Sequence, residues 1–195
     1  MIEFKDLNFS FNKTTLIKDL TFNSKDSKVI LVSGANGSGK TTLLKIFAGI
    51  LEPNSGLVSI PQSWTRSYIP VRTNGLYARL TGAENIDVFS SFLGIDSKTR
   101  ASKWCECQTF QKALNTPFYK CSIGMKQILN VFVLTLNSPR LILGDEIFKP
   151  FDIKTKNFVK DSLLNEFPDS TFIFATHEQM NWECETIEVT ESMWS

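Results

Sequence analysis

The sequence predicts an α/β fold with a mostly parallel sheet flanked by helices, an N-terminal antiparallel β region and an inserted helical subdomain. Two observations indicate the α/β core. The first third of the chain carries short runs rich in Ile, Val, Leu and Phe, which are typical of strands: IEFKDLNFSF, LIKDLTFN and KVILVS. After a glycine-rich segment, apolar residues recur at helical spacing in TTLLKIFAGIL, and another strand-like run, GLVSI, follows. This succession of strand, loop, helix and strand is typical of α/β proteins.

The helical subdomain is predicted at about residues 81–138. The segments TGAENIDVFSSFLG and SKTRASKWCECQTFQKAL have helical patterns, and each opens with a Thr or Ser of the kind that caps helices. A further helix is expected at about residues 122–137. Beyond it, the pattern predicts a buried strand in RLILGDE, a helix in KTKNFVKDSLLNEF, and strands in STFIFAT and TIEVT.

The composition fits one globular domain spanning residues 1–195. The chain has 195 residues, of which 42% are hydrophobic, so it can bury a sizeable core. Lys and Arg together number 21, and Asp and Glu together number 20. Because this balance gives no global attraction to nucleic acid, we expect no nucleic-acid partner.

The cysteines and the N-terminus favour a cytosolic protein. Cys105, Cys107, Cys121 and Cys184 form no CxxC pair, and the single histidine, His177, is distant in sequence from three of them. We therefore expect reduced thiols rather than a zinc or redox site. The N-terminal residues alternate like a strand and lack the pattern of a signal peptide. No apolar run approaches the roughly twenty residues that cross a bilayer, so membrane contact is expected through a partner.

The segment GANGSGKT matches the phosphate-binding motif G-x-x-x-x-G-K-[ST] in its required place between a strand and a helix. Glycines allow backbone geometry that a Cβ would block, so successive N–H groups can point at phosphate oxygens. Lys40 adds a positive charge for the β- and γ-phosphates, and Thr41 offers a hydroxyl to Mg²⁺. The motif predicts a P-loop NTPase core that binds ATP and Mg²⁺. The residues expected to contact the nucleotide here are Gly34, Asn36, Gly37, Ser38, Gly39, Lys40, Thr41 and Thr42.

Two further apolar runs end in residues suited to ATP hydrolysis. LILGDE ends in Asp145 and Glu146. We expect Asp145 to bind Mg²⁺ and Glu146 to accept a proton from the attacking water. In isolation a solvated turn would have the same sequence, but the P-loop favours the functional interpretation. His177, in FIFATHE, follows another strand and is expected to contact the γ-phosphate. Glu146, His177 and Lys40 are the predicted catalytic residues.

The order of these segments resembles the nucleotide-binding subunit of ABC transporters over nearly the whole chain. SIGMKQ matches the family signature in its S-x-G-M-K-Q form, with Cys121 in place of the usual Leu and Ile128 in place of the frequent Arg. Read in isolation, the segment indicates only a helix with Ser122 as its N-cap. The resemblance implies that Ser122 and Gly124 contact the γ-phosphate of an ATP molecule held by a second subunit.

The resemblance extends to further positions. It implies that Phe11 stacks on adenine and that Asp152, in DEIFKPFD, touches the partner's P-loop. LTGAEN matches the segment that lies near the membrane subunit in the family. One position departs from the pattern, because residues 71–73 read Val-Arg-Thr and lack the Gln that contacts Mg²⁺ and the attacking water in the family.

The resemblance implies an ATP-binding and ATP-hydrolysing subunit that dimerises around two ATP molecules and powers transport by a separate transmembrane permease. A homodimer is the simpler expectation, because one chain carries both the P-loop and the signature. The resemblance also implies a cytoplasmic subunit, peripheral on the cytoplasmic face of the inner (plasma) membrane. Similarity to the haem exporter ATPase of cytochrome c maturation, and to other exporter ATPases, favours export.

Two alternatives remain at this point. The missing Gln and the altered signature flanks favour a degenerate ABC ATPase that acts as a regulatory ATP-binding module with weak hydrolysis. An ABC ATPase that acts on ribosomes or DNA is disfavoured, because such proteins usually carry tandem domains, long inserts or basic patches, and this chain has none of them.

Overall fold

The computed structural model describes residues 2–12, 14–24, 27–71, 75–177 and 184–189. Its internal contacts divide the chain into two compact units. The first unit contains residues 1–68, 140–146 and 170–195, and the second contains residues 69–139 and 147–169. The helical subdomain expected at about residues 81–138 falls within the second unit, and the single-domain organisation stays a prediction.

The described residues form strands and helices in the α/β order predicted from the sequence. The strands are β1 (Glu3–Phe11), β2 (Thr14–Asn23), β3 (Val29–Ser33), β4 (Ser55–Ser59), β5 (Arg66–Ile69), β6 (Leu141–Asp145), β7 (Thr171–Ala175) and β8 (Glu185–Glu188). The α-helices are α1 (Lys40–Phe47), α2 (Gly82–Leu93), α3 (Lys98–Trp104), α4 (Gln108–Leu114), α5 (Ile123–Leu134) and α6 (Ile153–Glu166), and a 3₁₀ turn covers Phe118–Lys120. The predicted fold class is confirmed.

The N-terminal strands form an antiparallel sheet in the order β2-β1-β4. Phe4, Leu7 and Phe9 of β1 are buried, as are Ile17 and Leu20 of β2. These side chains share one core cluster with apolar residues of β3, α1, β6 and β7. The small sheet is therefore held to the rest of the first unit by continuous apolar burial, which is the main stabilising term in such a fold.

The second sheet has five strands in the order β5-β6-β7-β3-β8. The pairs β6–β7, β7–β3 and β3–β8 are parallel. Every residue of β6 is buried, as expected for a parallel strand covered on both faces. Because parallel strands present their carboxyl ends at one edge of the sheet, the segments that follow β3, β6 and β7 meet at that edge.

The second unit is helical, and one sequence expectation for it is wrong. The predicted helix in SKTRASKWCECQTFQKAL is two helices, α3 and α4, separated by a turn at residues 105–107. Trp104 and Phe110 are both fully buried, and their rings meet edge-on with centroids 5.5 Å apart. Six positions along one straight helix would point these side chains about 120° apart. The turn allows both rings to enter the same core.

Helix α5, which begins with the signature segment, is anchored near its C-terminal end by Arg100 of α3. The Arg100 guanidinium donates to Glu166 Oε2 at 2.6 Å, to Phe132 O at 3.1 Å and to Thr135 Oγ1 at 2.7 Å. Trp104 Nε1 donates to the other Glu166 oxygen at 2.6 Å. Charge-assisted bonds of this kind are stronger than neutral ones, and they tie α3, α5 and α6 together within the second unit.

Candidate nucleotide site

Three strands of the first unit deliver the predicted site residues to one edge of the five-stranded sheet. Val32 on β3 and Asp145 on β6 both pair with Ala175 on β7, so the three strands reach this edge at the same level. The Glu146 N–H donates to Ala175 O at 3.0 Å. The P-loop after β3, the two carboxylates after β6 and the histidine after β7 therefore lie at the same edge.

The P-loop between β3 and α1 depends on glycine at its first position. Gly34 has φ +147°, and a Cβ there would collide with Val189 O and lie 2.7 Å from Ser38 Oγ. Gly39 also has a positive φ, +99°, and is the N-cap of α1, which begins at Lys40. The backbone can therefore curl tightly into the start of the helix, whose free N–H groups and dipole favour an anion.

Two buried polar side chains of the P-loop also suit an anionic ligand. The Lys40 ammonium is largely buried and donates to the Gly34 and Ala35 carbonyl oxygens, both at 2.8 Å. These bonds use two of its three N–H donors. Ser38 is fully buried, and its hydroxyl has no hydrogen-bond partner. A buried hydroxyl of this kind is usually satisfied by a ligand or an ordered water, so the loop fits the phosphates of a nucleotide.

Asp145 and Thr41 form an oxygen-rich pair beside the P-loop. The Thr41 hydroxyl donates to Asp145 Oδ2 at 2.8 Å, and the Tyr68 hydroxyl donates to the same oxygen at 3.3 Å. Asp145 is almost completely buried. Mg²⁺ prefers oxygen ligands and commonly uses one or two carboxylates together with phosphate oxygens. The side chains of Thr41 and Asp145 could therefore hold this ion next to a bound nucleotide.

Glu146 and His177 form a second pair at the same edge. Glu146 Oε1 lies 2.7 Å from His177 Nδ1, and the side chain of Glu146 is 13% exposed. The Glu146 backbone has φ +51°, in the left-handed region that non-glycine residues rarely adopt. Strained residues of this kind are frequent at functional sites. The contact to Nδ1 orients the imidazole, and Nε2 is the ring nitrogen that this contact does not use.

Burial raises the pKa of the Asp145 carboxyl, and the charge of Glu146 acts in the same direction, whereas the hydroxyls of Thr41 and Tyr68 and the charge of Lys40 lower it. The net shift is upward, so an ionised Asp145 destabilises the ligand-free fold. The protonated, neutral carboxyl makes the fold more stable than the ionised one does. This extra stability is fully present below the pKa that Asp145 has in the unfolded chain, and it is lost as the pH rises through the higher pKa of Asp145 in the folded state.

We expect Asp145→Asn to raise the free energy of unfolding of the ligand-free protein by about 1 kcal/mol at pH 7, because the buried negative charge is removed. Denaturant titration in EDTA measures this difference, which should shrink as the pH approaches about 4. Asp87→Asn, at an exposed position of α2, serves as the control. A less stable Asp145→Asn protein would contradict the assignment of an unfavourable buried charge.

The signature residues and Asp152 lie in the second unit, at helix starts. Ser122 is the N-cap of α5 and its hydroxyl accepts from Met125 N–H at 3.2 Å, as the capping interpretation predicts. A Cβ on Gly124 would lie 3.1 Å from Pro150 O, so the glycine permits a close backbone approach. Asp152 is the N-cap of α6 and accepts from Thr155 N–H at 2.8 Å, which lowers the pKa of its carboxyl. These three positions have local structural roles besides their predicted ones.

Two other sequence assignments concern exposed positions. Phe11 lies at the end of β1, about half exposed, and its ring meets Phe9 edge-on with centroids 4.9 Å apart. An exposed aromatic face of this kind is available for stacking on a base. Val71 is also about half exposed. Arg72 and Thr73, which complete the segment without the family Gln, lie outside the described residues.

Comparison with known proteins decides the family. A family model described as "ABC transporter" matches residues 17–149. The chain belongs to the ABC transporter family. Its fold also superposes on one chain of a solved ATP-binding cassette, whose dimer was determined in a post-hydrolysis state bound to ADP and Pi, at a TM-score of 0.75 over 91% of this chain and 88% of that one. Identity to that protein is 22%, so this likeness concerns the fold.

Curated ABC relatives include transport proteins of different kinds. The chain is 32% identical over 171 residues to the taurine import ATP-binding protein TauB of Pelagibacter ubique, covering 83% of this chain and 64% of the relative. It is 27% identical to the bacitracin transport ATP-binding protein BcrA of Enterococcus faecalis, covering 78% of this chain and 52% of the relative. The chain thus spans about half to two thirds of the length of these relatives.

The ABC family membership predicted from the sequence is confirmed, while the roles assigned to individual residues stay predictions. The structure brings the P-loop, Asp145, Glu146 and His177 together in the first unit. Within the described part of the chain, no helix is long and apolar enough to cross a bilayer.

Sequence reasoning missed Tyr68 as a member of the site. Its hydroxyl contacts Asp145 because β5 lies next to β6 in the sheet, although 71 residues, 70–140, separate the two strands in sequence. A tyrosine in the short strand-like segment SYIP was the available signal. Without the strand order, that signal does not identify its partner.

Proposed function

We propose that this protein is the ATP-binding and ATP-hydrolysing subunit of an ABC transporter, which dimerises around two ATP molecules and powers a separate transmembrane permease. The observation that carries this proposal is the pairing of Thr41 with Asp145 and of Glu146 with His177 at the same sheet edge as the P-loop. A protein that only binds a nucleotide needs the P-loop and no further catalytic groups. Hydrolysis also requires a group that takes a proton from water and a group that responds to the γ-phosphate.

The chemistry assigns one task to each side chain. Lys40 and the P-loop N–H groups bind the β- and γ-phosphates, and Thr41 and Asp145 would hold Mg²⁺, which supplies positive charge to the phosphates. Glu146 accepts a proton from the water whose oxygen attacks the γ-phosphorus. The bond from that phosphorus to the bridging oxygen breaks, and ADP and phosphate result.

His177 is proposed to connect this base to the nucleotide. Its Nδ1 lies against Glu146, so a γ-phosphate oxygen that contacts Nε2 would fix both the imidazole and the carboxylate. Positioning of this kind contributes to phosphoryl transfer because the reaction depends on alignment of the water, the phosphorus and the leaving oxygen.

Dimerisation is proposed to complete each site with Ser122 and Gly124 of the second subunit, whose Asp152 would touch the P-loop. The start of α5 carries a serine hydroxyl, a glycine backbone and free N–H groups, which together suit a γ-phosphate. A homodimer contains two such sites, because each chain supplies one P-loop and one signature.

Replacing Ser122 with Phe should abolish ATP-induced dimerisation and spare ATP binding by the monomer, because the larger side chain would block the close approach to a γ-phosphate. Losing the N-cap costs only about 1 kcal/mol, so the monomer should fold. Light scattering in the Glu146→Gln background, with and without ATP, measures this effect. Ser91→Phe places the same ring at an exposed position of α2 and should leave the dimer intact. Dimers that survive Ser122→Phe would refute this contact.

The permease, the cytoplasmic location on the inner (plasma) membrane and the direction of transport belong to the proposal. The named relatives support transport as the task, and one of them is an import protein. Export, and the haem exporter ATPase in particular, rests on the sequence resemblance. Co-purification of the chain with a membrane subunit, followed by cargo uptake into inverted vesicles, would test the partner and the direction together.

A regulatory ATP-binding module with weak hydrolysis is the second candidate. Val71 and the absence of the family Gln favour it. Steady-state ATP hydrolysis, measured with and without the membrane subunit, separates the two candidates. A catalytic subunit turns over ATP and responds to its partner, whereas a regulatory module stays near background in both conditions.

A further inference from the structure

No step of the proposed ATP hydrolysis uses the contact between Tyr68 and Asp145. Tyr68 lies on β5, next to β6, and its hydroxyl donates to Asp145 Oδ2 at 3.3 Å. The two strands begin side by side, since Leu141 N–H donates to Thr65 O at 3.1 Å. Three residues further along β5, Tyr68 therefore lies close to the carboxyl end of β6.

Packing explains the ring of Tyr68 but not its hydroxyl. The ring is partly buried against the core cluster of the first unit, a role that Phe would fill equally well. A tyrosine hydroxyl that leaves water needs a hydrogen-bond partner, and here that partner is the carboxylate proposed to hold Mg²⁺. At neutral pH the phenol is an O–H donor.

The Tyr68 contact also determines how Asp145 presents its oxygens. Thr41 and Tyr68 both donate to Oδ2, from α1 and from β5. Two donors on one oxygen restrict rotation of the carboxylate about its terminal bond. Neither contact uses Oδ1. This second carboxylate oxygen therefore has a fixed orientation before a cation, or water bound to a cation, reaches it.

We infer that Tyr68 is a positioning residue for Mg²⁺, which fixes the Asp145 carboxylate through its hydroxyl and thereby strengthens metal-dependent nucleotide binding. The inference rests on the proposed function, because it takes Asp145 as the metal carboxylate. Partners that orient a metal ligand commonly change metal affinity by roughly 10–100-fold when they are removed. Because 3.3 Å is a long O–H···O contact, we expect an effect at the lower end of that range.

The test compares the full chain with Tyr68→Phe and Tyr77→Phe. Each variant deletes one phenolic oxygen, and Tyr77 is a half-exposed residue of the second unit. The dissociation constant of a fluorescent ATP analogue is measured in EDTA and in Mg²⁺, and the ratio of the two is the gain from the metal. The Mg²⁺ concentration that half-saturates hydrolysis is measured separately, as are the unfolding midpoints.

Tyr68→Phe should bind the ATP analogue in EDTA as tightly as the unsubstituted chain does, but the increase in affinity on adding Mg²⁺ should be about tenfold smaller. It should also need about tenfold more Mg²⁺ for half-maximal hydrolysis, with little change in kcat at saturating Mg²⁺. Tyr77→Phe should match the unsubstituted chain. An unchanged gain in Tyr68→Phe would overturn the inference and leave the proposed function intact. A Tyr68→Phe protein with lower stability and weaker EDTA affinity would also overturn it, because the hydroxyl would then be structural. Absence of nucleotide binding by the unsubstituted chain would overturn the proposed function itself.

Discussion

Replacing Glu146 with Gln is expected to lower ATP hydrolysis at least about a hundredfold while ATP still binds. The amide keeps the size of the side chain, and its oxygen can still contact His177 Nδ1, but it cannot accept a proton from water. A general base contributes roughly 10²–10⁴ to the rate of such reactions. Steady-state phosphate release in the presence of Mg²⁺ measures the loss.

The same substitution should trap a dimer with ATP, because nucleotide that is not hydrolysed continues to hold the two subunits together. ATP-dependent doubling of the mass in solution would report this state. Glu188→Gln, at the end of β8 in the same sheet, is the matched control and should retain full turnover. Unchanged hydrolysis in Glu146→Gln would remove Glu146 from the role of base.

Lys40→Ala is expected to weaken ATP binding by roughly 10–100-fold, because hydrogen bonds that involve a charged group are each worth about 1.5–3 kcal/mol. Equilibrium binding of a fluorescent ATP analogue in Mg²⁺ measures the change. Lys45→Ala is the control, since Lys45 lies on the same helix but one turn beyond the P-loop.

The Lys40 substitution also removes two contacts that hold the P-loop, those with Gly34 O and Ala35 O. Unfolding midpoints of both variants therefore accompany the binding data. An equal affinity for ATP in Lys40→Ala and Lys45→Ala would contradict a phosphate-binding role for the Lys40 ammonium.

Most of the site could be predicted from the sequence because its residues directly follow apolar strands. The P-loop follows KVILVS, Asp145 ends LILGD and His177 follows FIFAT, and parallel strands present their carboxyl ends together. Local chemistry was also readable at Ser122, where a small hydroxyl before an apolar helix predicted the observed N-cap.

The rest depends on tertiary structure that periodicity does not encode. Tyr68 meets Asp145 only because β5 is placed beside β6. The break between α3 and α4 follows from the need to bury both Trp104 and Phe110 in one core, which outweighs the helical pattern of the segment. In both cases the decisive partner is distant in sequence or lies on another element.

The central claim is that the active species is an ATP-hydrolysing dimer in which each site uses the P-loop of one subunit and the signature of the other. The most direct measurement is the rate of ATP hydrolysis per chain, in Mg²⁺, over a wide range of protein concentration. The account predicts a rate per chain that rises with concentration to a plateau and stays at background in Ser122→Phe. A rate per chain that is independent of concentration and unaffected by Ser122→Phe, or no hydrolysis at any concentration, would contradict it.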